Sequence, residues 1–262
     1  MDTKPLTFRK NLISKIDVYR KSMLRNTLRR AGIIKVRDHW VYTGNLRSGN
    51  IVIDLGANKG LFSKAMHESY GSCCYAVEPN PELYDGIDYE FITKLNSAVT
   101  SSNGPVDFYI SDNAEASSII KDFGEKWGSN TKVSIEGLTF NDLIDRLDLR
   151  GKEIDVLKVD IEGAELDLIE CLKDQDMQMI KQITVEFHDW LNKDLHDRTV
   201  QAIKKLKSMG FVAYTDTPNH RWPYEMLFLN RRLINLSTRQ KFFLMIFRKM
   251  IVLIYRPYYH KS

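Results

Sequence analysis

A glycine-containing turn with a carboxylate at its start follows the first strongly apolar run of the chain. The segment DLGANKG (54–60) lies between a predicted strand, Ile51–Leu55, and a predicted helix, Leu61–Tyr70. Glycines such as Gly56 and Gly60 let the backbone turn tightly beside a ligand, and the following helix offers free N–H groups. A nicotinamide-binding G-x-G-x-x-G turn is the alternative, but Asp54 occupies its first position. A carboxylate there would repel a pyrophosphate and favour the ammonium of a methionine-like cofactor.

A second acidic residue, Glu78, ends the next predicted strand, residues 73–78. An acid about 20 residues beyond a glycine turn, at a strand end, can accept hydrogen bonds from both ribose hydroxyls of a nucleoside. Pro79 and Asn80 stop the strand and turn the chain beside it, so both are candidate cofactor neighbours. The alternative for Glu78 is a cap on a helix that starts near Pro81.

Two later strands end in side chains that could transfer protons. LKVDIEGAE (157–165) places acids at a strand-to-helix junction, and VEFH (185–188) ends the next strand. A hydroxyl that attacks a methyl sulfonium must lose its proton, so Asp160 and His188 are the candidate catalytic bases. The other five histidines, His39 among them, show no constellation. No metal site is predicted, although Asp160, Glu162 and His188 could hold an ion if they converge.

The order of apolar runs predicts the fold. From residue 50 onward, short apolar runs alternate with amphipathic stretches, which indicates a doubly wound α/β sheet with helices on both faces. Predicted strands cover residues 51–55, 73–78, 91–99, 154–161, 182–188, 211–216 and 225–230. The last two are joined by a short loop without a helix and should form an antiparallel hairpin. Residues 106–111 alternate like an extra strand, and the polar segment 113–130 could be a lid.

Five blocks match a known family in order and approximate spacing: IVIDLGANKGLFS, YAVEPNP, LNSAV, DVLKVDIEGAELDLIE and ITVEFH. Over about residues 49–190 the chain resembles the FkbM family of class I S-adenosylmethionine-dependent methyltransferases. The resemblance implies a Rossmann-like, seven-stranded, mostly parallel sheet and S-adenosylmethionine as cofactor. It also implies O-methylation of sugars and natural products. By resemblance, the methionine part of the cofactor would touch Gly56, Ala57, Asn58 and Gly60, the ribose would be held by Glu78, and the adenine would lie near Ser97 and Ala98.

The charge distribution divides the chain into three parts. Residues 1–48 carry a net charge of +9, residues 231–262 carry +8, and residues 49–230 carry −13. We therefore predict a basic helical extension (1–48), a methyltransferase domain (49–230) and a basic apolar helix (231–262). The basic parts could contact an anionic membrane through residues 1–48 and 242–261, or nucleic acid, which is the less favoured partner. The alternatives are solvated helix faces, or a terminal helix packed on the domain or on a second subunit, as in a homodimer.

The function predicted from these features is O-methylation of a hydroxyl on a sugar, glycan or glycolipid. RNA methylation is an alternative, as is a non-catalytic membrane- or partner-binding protein on a Rossmann scaffold. The three cysteines form no disulfide or metal pattern, and the N-terminal residues do not resemble a signal peptide. Both features indicate a cytoplasmic location, with the inner membrane surface as a peripheral site.

Overall fold

The computed structural model describes residues 18–111, 117–120, 131–189, 193–216 and 224–255. The chain forms two compact units, and their borders differ from the predicted ones at 48/49 and 230/231. One unit, which we call the basic unit, comprises Met1–Ile34, Asp216–Arg221 and Leu236–Ser262. The other, the sheet unit, comprises Lys35–Thr215 and Trp222–Asn235. Residues 1–17 of the basic extension, residues 256–262 of the terminal one and most of the predicted lid, 113–130, lie outside the described residues.

A seven-stranded sheet forms the centre of the sheet unit within the described residues. Four neighbouring strand pairs are parallel, and one strand near the opposite edge, Tyr224–Asn230, runs antiparallel to both of its neighbours. The predicted fold class and the antiparallel C-terminal hairpin are therefore confirmed. The strands, in sheet order, are β11 (Phe211–Tyr214), β12 (Tyr224–Asn230), β10 (Gln182–Phe187), β9 (Val156–Val159), β3 (Ile51–Leu55), β4 (Cys73–Val77) and β5 (Ile92–Leu95).

The central strands are apolar on both faces because helices cover both sides of the sheet. Every residue of β9 is buried, and so are four of the five residues of β3. Ile53, Leu157 and Phe187 have no exposed surface and belong to one continuous core. The helices of the sheet unit are α2 (Leu61–Tyr70), α3 (Pro81–Asp85), α4 (Phe140–Arg146), α5 (Glu165–Cys171), α6 (Asp174–Met179) and α7 (Lys193–Ser208).

A second, three-stranded sheet lies between β5 and α4 in the sequence. It contains β6 (Ala98–Val99), β7 (Gly104–Ile110) and β8 (Thr131–Leu138), in the order β6-β8-β7. The extra strand predicted at residues 106–111 corresponds to β7. The apolar pattern did not predict β8, because four of its first six residues are exposed.

The N-terminal part differs from the predicted helical extension. A helix, α1, covers residues 18–30, and two short strands follow, β1 (Ile33–Val36) and β2 (His39–Tyr42). These strands form a separate two-stranded sheet, and residues 35–48 belong to the sheet unit. The last helix, α8 (Thr238–Tyr255), belongs to the basic unit. None of the helices in the described residues is long and apolar enough to cross a membrane.

Candidate functional site

A cleft of about 390 Å³ opens where several parallel strands end. Its volume falls within the range of about 300–1,000 Å³ usual for small-molecule sites, and ligands bind open α/β sheets at this edge. Among its lining residues we distinguish a loop group, which follows β3, β4 and β5: Gly56, Ala57, Asn58, Glu78, Pro79, Ser97 and Ala98. The carboxylate group comprises His39, Lys158, Asp160, Glu162 and Glu186.

The turn after β3 leaves no room for a side chain at its first glycine. Gly56 has a φ of +74°, and a Cβ atom there would lie 1.8 Å from the backbone oxygen of Asp160. The N–H groups of Gly56 and Ala57 both donate to the carbonyl of Val77, at 3.0 and 3.1 Å. Gly60, also left-handed, ends the turn as the N-cap of α2 and does not line the cleft. These contacts hold the backbone of the turn against the end of β4 and against Asp160, the residue after β9.

Asp54 lies beneath this turn and is fully buried. Its carboxylate accepts a hydrogen bond from Ser63 Oγ at 2.8 Å and pairs with Lys158 Nζ at 3.1 Å. Lys158 Nζ also donates to the carbonyl of Gly56 at 2.8 Å and lies 3.4 Å from Asp160 Oδ2. Burial opposes the charge on Lys158, but the two carboxylates outweigh it and raise the pKa of the ammonium. One buried cation therefore ties the turn to both aspartates, a role that the sequence did not reveal.

Glu78 reaches the cleft from the end of β4. Its two carboxylate oxygens each accept one backbone N–H, from Asn58 at 2.7 Å and from Asn80 at 2.8 Å. Each oxygen keeps a second lone pair for a ligand hydroxyl. Burial raises the pKa of Glu78 to about 6. The cap of α3 is the Asn80 side chain, which accepts the N–H of Glu82, so Glu78 is not occupied as a helix cap.

Ser97 and Ala98 line the cleft beyond β5. Ser97 has no exposed surface, and its hydroxyl has no hydrogen-bond partner among the described residues. Buried hydroxyl groups are usually paired, so an orphaned one beside a cleft indicates a polar ligand.

Asp160 follows β9 and is the predicted base that lines the cleft. Its Oδ2 atom lies 3.4 Å from Lys158 Nζ and 3.5 Å from His39 Nε2. Burial opposes ionisation, but the charge of Lys158 outweighs it and lowers the pKa of Asp160. Asp160 is therefore a firmly ionised carboxylate, which makes it a strong hydrogen-bond acceptor and a weak base.

His188, the other predicted base, is buried and does not line the cleft. Its Nδ1 lies 2.9 Å from Glu165 Oε1, and its Nε2 lies 3.4 Å from Glu162 Oε2. Burial favours the neutral ring, but the charge and hydrogen bond of Glu165 prevail and raise the pKa of His188 to about 10. The ring is thus an imidazolium at neutral pH, with no free capacity to accept a proton.

The turn after β9 is held by Glu165, the first residue of α5. Its Oε1 atom accepts the N–H groups of Gly163 at 2.9 Å and Ile161 at 3.2 Å. Glu162, inside this turn, adopts a left-handed φ of 49°. Burial raises the pKa of Glu162 to about 8. Left-handed backbone in a residue with a side chain costs free energy and is often found at functional sites, and here it lies beside the cleft.

His39 completes the carboxylate group, and no pattern in the sequence indicated it. It lies on β2, nearly fully buried, with Nε2 3.5 Å from Asp160 Oδ2 and Nδ1 3.2 Å from Glu225 Oε1. Glu225 also pairs with Lys35 at 2.7 Å. Burial lowers the pKa of His39, so its ring is neutral at neutral pH. His39 is therefore the imidazole of this cleft that can accept a proton.

No metal site was predicted, but Asp160, Glu162 and His188 were named as possible ligands on condition that they converge, and they do. Their ligand atoms lie within 4.8 Å of one another, and those of His39, Asp160 and Glu186 do so as well. Either set has the donor types that could hold a metal ion.

The predicted site residues fall into two classes. The cleft is lined by Gly56, Ala57, Asn58, Glu78, Pro79, Ser97, Ala98 and Asp160, whereas Asp54, Gly60, Asn80 and His188 support it from behind.

The sheet order, the antiparallel last strands and the cleft beyond a glycine turn define a class I methyltransferase fold. Residues 54–213, more than half of the chain, match the family described as the methyltransferase FkbM domain. The chain therefore belongs to the FkbM family of S-adenosylmethionine-dependent methyltransferases.

Individual proteins are more distant. The chain is 26% identical over 182 residues to the methyltransferase sdnD of Sordaria araneosa, covering 57% of this chain and 70% of that one. It is 12% identical to the crystal structure of precorrin-6y C5,15-methyltransferase from Geobacter metallireducens, with a TM-score of 0.39 and coverage of 80% and 87%. It is 11% identical to Aeropyrum pernix fibrillarin with bound S-adenosylmethionine, with a TM-score of 0.41 and coverage of 70% and 67%.

Proposed function

We propose that this protein transfers the methyl group of S-adenosylmethionine to a hydroxyl group of a sugar, glycan or glycolipid. The observation that carries the proposal is His39, a buried and neutral imidazole that lines the cleft beside Asp160. An alcohol must lose its proton as it attacks a methyl sulfonium, and a positioned histidine accelerates such a step by about 10²–10⁴-fold. The catalytic residues are then His39 as base and Asp160 as its partner, while His188 positions the turn.

The loop group fits the cofactor. S-adenosylmethionine supplies an electrophilic methyl group on a cationic sulfur. Glu78 keeps lone pairs for two ribose hydroxyls, and the orphaned Ser97 hydroxyl can pair with a polar group of the adenosine. The turn at Gly56 keeps the backbone free of side-chain bulk where it meets β9. Asp54 acts through the turn and not by direct contact, because it is fully buried.

Residues of the carboxylate group would accept the proton that the acceptor hydroxyl loses and stabilise the resulting charge. Bound S-adenosylmethionine would supply the methyl group to the acceptor oxygen, with its sulfur as the leaving group that keeps the electron pair, and the hydroxyl proton would pass to His39. The resulting imidazolium lies 3.5 Å from Asp160 Oδ2 and 3.2 Å from Glu225 Oε1. Burial raises the pKa of Glu225 to about 8, so the ionised Asp160 is the carboxylate that stabilises the charge at neutral pH. His188 is already protonated and holds Glu162 and Glu165 in place.

The choice of a sugar-like acceptor has two supports. Three acidic side chains line this part of the cleft, Asp160, Glu162 and Glu186. Carboxyl groups accept hydrogen bonds from the several hydroxyls of a polyol, and a protonated one, as expected of Glu162, also donates one. The resemblance to the FkbM family also implies sugars and natural products. The Asn/Asp-Pro-Pro-aromatic segment of many amino-group methyltransferases does not follow β9, where the chain reads DIEG (160–163).

The test uses the full chain with S-adenosylmethionine labelled in its methyl group. We expect label to enter a glycan or lipid-linked saccharide fraction as an alkali-stable methyl ether. His39→Gln should slow the transfer by about 10²-fold or more while the calorimetric affinity for S-adenosylhomocysteine stays unchanged. Glu78→Gln should instead weaken that affinity.

The matched control is His196→Gln, because His196 is half exposed, pairs with Asp189 and does not line the cleft. It should leave both rate and affinity unchanged. If the label enters RNA and is released by ribonuclease, the proposed acceptor is wrong and the methyl group goes to a ribose hydroxyl instead. Well-folded protein that does not bind S-adenosylhomocysteine would leave only a non-catalytic scaffold.

A further inference from the structure

Nearly all charged side chains in the described part of the basic unit are positive. Its described residues include nine lysines and arginines and a single acid, Asp216. That acid pairs with Arg25 at 2.8 Å. Such a surface attracts anionic partners and repels cationic ones.

Two helices of the basic unit, α1 and α8, pack against each other. Thr27 Oγ1 lies 3.6 Å from Met250 Sδ, and the guanidinium of Arg30 lies 5.7 Å from the ring centre of Phe243. Leu244 and Phe247 of α8 are buried. One face of α8 is therefore already used in packing.

The opposite face of α8 exposes a stripe of large apolar side chains. Phe242 is 52% exposed, Met245 46%, Val252 61% and Leu253 74%. Their spacing places all four on one side of an α-helix, and Lys249 falls within the same stripe. At 18 residues the helix is about 27 Å long. A contiguous exposed apolar stripe on a folded unit marks an interaction surface.

We infer that this face of α8 docks the basic unit on the surface of a membrane that contains anionic lipids. Helices that lie in the plane of a bilayer combine apolar side chains with lysine and arginine and lack the length and hydropathy of a span. α8 has both features, with Lys241 and Lys249 exposed beside the apolar stripe and no acid along its length. The inference does not depend on the acceptor proposed above.

Two other occupants fit the surface less well. RNA would satisfy the cations, but its phosphates gain nothing from aliphatic side chains such as Val252 and Leu253. A second copy of this chain would bring two strongly basic surfaces together, and like charges at an interface are unfavourable. An anionic bilayer satisfies the apolar stripe and the cations together.

The test is co-sedimentation of the full chain with vesicles of phosphatidylcholine alone or mixed with phosphatidylglycerol. We expect binding to the mixed vesicles only. Phe242→Ser/Leu253→Ser should weaken it by about tenfold or more, because each buried side chain contributes hydrophobic free energy. Lys241→Glu/Lys249→Glu should weaken it by about fivefold or more for each cation removed.

The charge-matched control is Lys204→Glu/Lys207→Glu on α7 of the sheet unit, where both side chains are exposed. It changes the net charge by the same amount and should alter vesicle binding by less than about twofold. All variants change exposed residues, so their melting curves should match that of the wild type. If Phe242→Ser/Leu253→Ser binds the mixed vesicles as tightly as the wild type does, the inference is wrong. The inference is also wrong if the wild-type chain does not bind vesicles but binds RNA, or if it forms a dimer that the Phe242→Ser/Leu253→Ser substitutions dissociate.

Discussion

The loop group and the carboxylate group of the cleft are built in opposite ways. The loop group comes from three short loops, and in the first of them Gly56 and Asn58 have left-handed conformations and hydrogen-bonded backbone N–H groups. The carboxylate group is made of side chains from β2, β9 and β10, held by charges such as those of Lys158 and Glu225. The first group depends on the shape of the backbone, and the second depends on the balance of buried charge. Substitutions in the loop group should therefore act mainly by distorting the backbone, and substitutions in the carboxylate group mainly by changing the pKa values of buried side chains.

The largest effect is expected at the turn. Gly56→Ala would place a Cβ atom 1.8 Å from the carbonyl oxygen of Asp160, in addition to the strain of a left-handed φ. We expect a loss of about 3 kcal/mol or more in the free energy of unfolding, measured with a chemical denaturant. Gly49→Ala is the control, because Gly49 has a φ of +85° but nothing within 4 Å of its Cβ position. It should cost only about 1–2 kcal/mol.

The buried cation between the two groups comes next. Lys158→Met removes the partner of Asp54 and Asp160 and leaves two carboxylates close together without a counter-charge. We expect a loss of about 3–5 kcal/mol in the free energy of unfolding. The pKa of Asp160 should also rise, which NMR titration can follow. A variant as stable as the wild type, with Asp160 still ionised at low pH, would show that Lys158 is dispensable.

His188, which contacts Glu162 of the carboxylate group, gives a pH dependence that the loop group should not share. Its pKa is raised to about 10 in the folded protein, above the ordinary value of about 6.5. Its stabilising contribution is therefore complete below about pH 6.5 and is lost as the pH rises toward 10. We expect the free energy of unfolding to fall over this interval in the wild type and much less in His188→Gln. A ring that titrates near 6.5 by NMR would contradict this assignment.

The smallest effect is expected at the loop group, from Glu78. Because burial raises its pKa to about 6, the carboxylate gains a proton as the pH falls below 6 and loses acceptor capacity for ribose hydroxyls. The dissociation constant for S-adenosylhomocysteine should rise by up to about tenfold for each pH unit below that point. In Glu78→Gln the affinity should be weaker at neutral pH and nearly independent of pH. Equal pH profiles for both proteins would remove Glu78 from the ribose site.

Most residues of the loop group could be named from the sequence because their information is local, whereas Ser97 and Ala98 were named by resemblance to the family. Strand, turn and helix follow one another within about twenty residues, and the turn requires residue types that few other structures require. The doubly wound sheet with its C-terminal hairpin was also predictable, since its apolar runs stand out against the amphipathic stretches between them. The strands β1 and β2 lie in a segment interrupted by charged residues that was predicted as part of a helical extension, so the sequence did not reveal that β2 carries His39.

The protonation states could not be inferred from the sequence either. His188 and His39 are the same residue type with the same ordinary pKa, and opposite surroundings shift the two pKa values in opposite directions. Burial dominates at His39, whereas Glu165 dominates at His188. The sequence named Asp160 and His188 as candidate bases from residue type and position at a strand end, and neither feature reveals which histidine the fold keeps charged.

The Lys158 ammonium links the two halves of the cleft mechanically. It donates to the carbonyl of Gly56 on one side and pairs with Asp160 on the other, so a shift of the turn also moves the charge beside His39. Two ligands bound on either side would therefore influence each other's affinity, and by thermodynamic linkage the influence would be equal in both directions. An acceptor that binds more tightly after the cofactor would hold the cofactor more tightly in return.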